Sequence, residues 1–219
     1  MKKVVLGLLV LCLGLSMEVN AQNRLYPTQK EVIPQIAKRH LLRDSLFLNG
    51  GDFDYFAFMI LPPYYFGDQV CYYDAKDSVL VLKVAKDGDP YYKDFILEYY
   101  CPASSKVVKS LYRLMFSAIF SSSYLARRSG LDGTGYQVYV RCGSWRKWNF
   151  VAECWSPLKD SNCGQLADIL KRLVAAIKEK DSNAIESLIP LVDELTAKFE
   201  VLYPDDVKES SGWLQMLER

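Results

Sequence analysis

A single histidine, His40, stands in the whole chain, and this scarcity removes several chemistries at once. A histidine-rich zinc site is excluded by count. A Ser–His–Asp or Cys–His centre would have to use His40, which sits between Arg39 and Leu41 with no motif around it. No CxxC pair is present and no histidine lies near a cysteine, so no metal site is expected. A Gly-rich phosphate loop is missing as well. The nearest run, GLDGTGY at 130–136, follows no apolar strand and opens no helix, and reads as a turn. No motif for a cofactor occurs, and none is expected.

Charge of one sign is also lacking, with 27 basic and 26 acidic residues. Such a chain gains little steering toward nucleic acid or an anionic membrane, so no nucleic-acid partner is expected. Internal repeats, low-complexity tracts and Pro-rich or Ser-rich linkers are absent, which favours one domain.

The one long apolar run lies at the start. Lys2 and Lys3 precede Val4 to Met17, and Val19 and Ala21 occupy the two small-residue positions before a cleavage point. This arrangement predicts a signal peptide over 1–21. The run is shorter than the roughly 17–25 residues that span a bilayer, and no stop-transfer segment follows. Cys12 is preceded by Leu11, not by a small residue, so it reads as part of the apolar run and not as a lipidation site. The leader resembles those of secreted proteins of Gram-negative bacteria, with Gln22 following the cut. An exported protein, periplasmic or extracellular, is expected, with no transmembrane segment in the mature chain. Residues 22–219 then carry 25 basic and 25 acidic residues and form a single α+β domain with a loosely ordered C-terminal tail.

Five cysteines remain after Gln22. In an oxidising compartment they allow two disulfides and one leftover thiol. Cys154 and Cys163 flank a short turn and are the first candidate pair; Cys71 and Cys101 are the second. Buried free thiols, packing as small hydrophobes, are the alternative.

The expected architecture is an antiparallel sheet of about four strands, then a two-stranded hairpin, packed against amphipathic helices. A ragged helix is expected over 28–46, where Thr28 and Glu31 have capping-box spacing. Strands follow over 55–61, 70–73, 79–84 and 91–100, rich in aromatic and β-branched residues and separated by turn formers. Val107, Leu111, Leu114, Met115, Ala118 and Leu125 recur at helical spacing and predict a helix over 103–126. In 135–142, Tyr136, Val138 and Val140 alternate with Gln137, Tyr139 and Arg141. In 147–155, Trp148, Phe150, Ala152 and Cys154 alternate likewise. This period of two predicts a half-buried hairpin. Two helical patterns close the chain, the second capped by Asn183 and kinked or split at Pro190.

The stretch 132–157, DGTGYxVYVR…AECWSP, resembles a turn–strand–turn–strand segment of small bacterial proteins of unassigned function and carries no functional implication.

Carboxylates are plentiful but undirected. Asp52, Asp54, Glu98 and Glu153 are the ones a glycan or peptide hydrolase would have to use, and solvated turns or strand surfaces are the plainer explanation. Tyrosine is the unusual feature, with nine between Tyr55 and Tyr100, eight of them as adjacent pairs. Adjacent strand residues face opposite ways, so each in-strand pair places one ring inward and one outward. Outward tyrosines favour interfaces because the ring is rigid and amphipathic, although aromatics also suit any strand surface. The candidate contact residues are Tyr64, Tyr65 and Tyr72, with Trp145 and Arg146 at the hairpin tip. The expectation is therefore a non-enzymatic binding or protein-interaction domain, an immunity-type protein being one form. Its partner would be another envelope or secreted protein. A carboxylate-dependent hydrolase is the alternative.

Overall fold

The computed structural model describes residues 23–27, 54–63, 67–85, 96–123, 133–142 and 148–203, without the side chains of Asp54, Cys142, Trp148 and Asn149. Its strands are β1 (Tyr26–Pro27), β2 (Asp54–Leu61), β3 (Gln69–Asp74), β4 (Val79–Ala85), β5 (Ile96–Pro102), β6 (Gly135–Cys142) and β7 (Trp148–Trp155). They form one sheet in the order β1-β7-β6-β2-β3-β4-β5, antiparallel at every pairing. The meander β2–β5 and the hairpin β6–β7 are thus halves of the same sheet, joined where β6 pairs with β2. The helix expected over 28–46, Asp52 and the tail after Tyr203 lie outside the described residues.

The helices are α1 (Ser105–Phe120), α2 (Asn162–Glu179), α3 (Ser182–Ser187) and α4 (Ile189–Glu200). Ser104 caps α1, its side chain accepting from the Val107 N–H at 3.4 Å. The helix stops at Phe120, short of residue 126: Ser121 leaves the helical dihedrals at φ −85° and ψ 1°, and its hydroxyl donates to the Ala118 carbonyl. Ser161 caps α2, accepting from the Gly164 N–H at 3.0 Å, and Lys180 ends that helix in the left-handed region at φ 55°. Asp181, not Asn183, caps α3 through the Ala184 N–H. The split at Pro190 is real: α3 ends at Ser187 and α4 restarts with the proline in its first turn, where the missing N–H costs nothing.

The main core lies between one sheet face and the helices. Phe56, Phe58, Leu80, Leu82, Val138 and Val140 point to it from the strands, and Leu114, Leu166, Leu170, Leu173 and Phe199 meet them. The opposite sheet face carries a second buried cluster of Ala57, Met59, Leu61, Val70, Ala85 and Tyr139. Strand β6 is therefore closed on both faces at its centre, and the half-buried expectation fails there. Gln137 and Tyr139 read as outward because they are polar at alternate positions, yet they are only 3% and 6% exposed. Their polar atoms answer one another: the Tyr139 hydroxyl donates to Gln137 Oε1 at 2.7 Å, and Gln137 Nε2 donates to Glu153 Oε2 at 2.9 Å. Satisfied in this way, they enter the interior without the penalty of an unpaired group.

Candidate functional site

The strand register lays out the second sheet face in rows. One row runs Tyr26, Glu153, Gln137, Met59, Val70, Lys83, Glu98 across the sheet. The next runs Val151, Tyr139, Ala57, Tyr72, Val81, Tyr100. In the middle both rows are buried; toward β5 they open. Tyr72, Lys83, Glu98 and Tyr100 lie at that open end.

Both tyrosine pairs that fall within described strands divide as alternation requires. Tyr73 is buried and Tyr99 packs on the main core, while Tyr72 and Tyr100 face the other way. Tyr100 is 49% exposed. Its hydroxyl donates a short hydrogen bond to Glu98 Oε2. The other carboxylate oxygen takes an ion pair from Lys83 Nζ at 3.1 Å, and the same ammonium stands 5.8 Å from the centre of the Tyr72 ring. The hydrogen bond from Tyr100, joined by the Lys83 charge, holds the Glu98 carboxyl below the ordinary carboxylate range. The reciprocal effect pushes the Tyr100 phenol up to about 12. Four side chains from three strands are thus locked into one arrangement, a rigid ring beside a fixed charge pair.

Tyr64, Tyr65, Trp145 and Arg146 lie outside the described residues, as does Asp52. Glu98 and Glu153 are both engaged, and they occupy nearly opposite ends of one row. Five inter-strand steps separate them, about 24 Å at the usual strand spacing. Glycosidase carboxylates work at roughly 5–9.5 Å, so these two do not form an acid–base pair. Among the described residues no His, Cys, Asp or Glu cluster of metal-binding size occurs, and no helix is long and apolar enough to cross a membrane.

The four described cysteines on the candidate list, Cys71, Cys101, Cys154 and Cys163, are free thiols. The register corrects the second candidate pair. Cys71 sits opposite Leu82 and Cys101 opposite Leu80, so strand β4 runs between them. Two strand spacings are about 10 Å, beyond the roughly 7 Å that a disulfide spans between Cα atoms. Burial, followed by the neighbouring Cys101, drives the Cys71 thiol far up, as befits an inert core residue.

Sequence reasoning missed a chain of ring contacts on the helix side. Phe56 stacks on Tyr73, Tyr73 meets Tyr55, and Tyr55 meets Tyr112 at 6.0 Å. Tyr112, Phe116, Phe120 and Phe150 continue the series. Tyr55 joins because the β2–β3 register shifts between Asp54 and Ala57 and Tyr55 adopts φ 63°. Nothing in a period of two announces a bulge, so the local sequence held no signal for it. No protein-family model, curated protein or solved structure matches this chain.

Proposed function

We propose that this protein is exported to the periplasm or cell exterior and acts there as a non-enzymatic protein-binding domain. Its contact surface is the open end of the second sheet face, with Tyr72 and Tyr100 as aromatic anchors and Lys83 and Glu98 as polar ones. The observation that carries this reading is the fixed Tyr100–Glu98–Lys83 arrangement beside Tyr72, where the buried centre of that face gives way to solvent. Tyrosines held rigid lose little entropy on binding, and a preformed charge pair orients a partner. The partner is another envelope or secreted protein; an immunity-type protein that neutralises a toxin is one member of this class. Tyr64, Tyr65, Trp145 and Arg146 belong to the proposal on sequence grounds alone.

A photo-crosslinking residue placed at position 100 in the native cells tests it, with position 172 on helix α2 as the control. One dominant crosslinked partner is expected from position 100 and none from 172. Once that partner is in hand, Tyr72→Ala and Tyr100→Ala should each weaken the complex about 30-fold, the scale of an interface anchor, with the circular-dichroism spectrum of the folded chain retained. Equal crosslinking from both positions, or unchanged affinity in both variants, defeats the reading.

A further inference from the structure

We propose that Cys154 and Cys163 close a disulfide when the chain folds in the presence of a thiol–disulfide oxidant, stapling the end of β7 to the first turn of α2. Cys154 lies on the helix-facing side of the sheet, opposite Tyr136, and packs against the main core. Cys163 is the second residue of α2 and is fully buried in that core. Both therefore belong to one core, at the two ends of the eight-residue turn 155–162.

The turn between them is pinned from several sides. Ser156 takes the left-handed region at φ 40°, and its N–H bonds the Thr134 carbonyl at 2.9 Å. The Ser161 N–H and hydroxyl both donate to the Leu158 carbonyl, at 3.0 and 2.6 Å. The Asn162 N–H donates to Asn23 Oδ1 at 3.1 Å, tying the helix start to a third segment. Both sulfur-bearing backbones are therefore held at the ends of a fixed turn with their side chains in one core, so bond formation requires little backbone movement. Cys71 and Cys101, with β4 between them, have no such approach.

The bonding contact with Cys163, then burial, raises the Cys154 thiol well above its ordinary value. Cys163 is fully buried once α2 has docked, so the exchange takes place before that step. One cysteine thiolate attacks a sulfur of the oxidant's disulfide, either oxidised glutathione or an oxidoreductase, and releases one oxidant thiol. The second thiolate displaces the remaining oxidant sulfur. The two cysteines lose two protons and two electrons, and the oxidant's disulfide ends as two thiols.

The test refolds the full-length purified chain with oxidised glutathione, alkylates remaining thiols and digests with trypsin without reduction. Lys147, Lys159 and Lys171 place the cysteines on adjacent peptides, 148–159 and 160–171. The expected result is a joined species of these two that separates on reduction, with Cys71 and Cys101 alkylated. Alkylated Cys154 and Cys163, or a link from either to Cys71, Cys101 or Cys142, overturns the proposal. A second measurement is independent of refolding yield. The thermal midpoint of protein from its native cells should fall on reduction to that of the Cys154→Ser/Cys163→Ser variant. A midpoint indifferent to reductant would also overturn it.

Discussion

The guanidinium of Arg113 donates two parallel hydrogen bonds to the Glu200 carboxylate, Nε to Oε1 at 2.8 Å and Nη2 to Oε2 at 3.0 Å, across 87 residues of sequence. Ser117 adds a longer contact to the same carboxylate, and the Tyr203 hydroxyl donates to Ser117 Oγ at 2.7 Å. This latch fastens the end of α4 to the middle of α1. Arg113 is half-exposed, so its ion pair is screened and the gain is small. Arg113→Ala should lower stability by about 1 kcal/mol in a denaturant titration.

Tyr203 is buried where Arg113 is not, and that reverses the ranking of the two contacts. Tyr203→Phe leaves the ring and removes only the bond to Ser117, costing about 1–2 kcal/mol. Phe199→Ala, one turn earlier and fully buried, opens a cavity and should cost about 3–5 kcal/mol. The order of the unfolding midpoints, Phe199→Ala lowest, checks the assignment of α4 to the main core.

The Tyr100–Glu98 bond makes a prediction about pH. The Tyr100 phenol is raised, so its contribution to stability is complete below the unfolded value of about 10 and is lost as pH climbs through about 12. Glu98 is lowered, so its contribution is present above the unfolded carboxyl value and fades as pH falls through the folded one. Both effects are modest because the groups meet solvent. Glu98→Gln should bring one phenol titration down toward the ordinary range in an ultraviolet pH titration. A titration curve identical to that of the parent would refute the bond.

Much of the fold was legible because its signals are local. The β-branched and apolar run of Val79–Ala85 and the helical stripe in Asn162–Glu179 can each be read from the residues of that segment alone. Ser104, Ser161 and Asp181 cap helices within three residues of their targets, although capping-box spacing singles out Asn183 in place of Asp181 and picks out neither serine. What escaped depends on distant partners. Gln137 looked outward until Tyr139 and Glu153 were seen to satisfy it, and Glu153 belongs to a different strand. Cys71 and Cys101 looked bridgeable until the register put β4 between them. The tyrosine pairs show the boundary well. Alternation says that Tyr72 and Tyr100 leave the main core, but only strand order places both near Lys83 and Glu98.

Gly164 sits in the first turn of α2, where helix propensity alone recommends alanine by about 1 kcal/mol. The surroundings oppose it. A Cβ built on Gly164 would stand 2.0 Å from the Leu158 carbonyl oxygen and 2.8 Å from that of Lys159. These are backbone atoms of the tight turn, already held by Ser161, and they have no rotamer with which to withdraw. Either the helix start lifts away or the turn opens, and both changes break the Ser161 cap and separate Cys154 from Cys163. The steric term is larger than the propensity term, so the net sign is destabilising. Gly164→Ala should lose about 2–3 kcal/mol and slow the closing of the 154–163 link in glutathione buffer. A variant as stable as the parent, or more stable, would show that the turn yields and that α2 is not pressed against it.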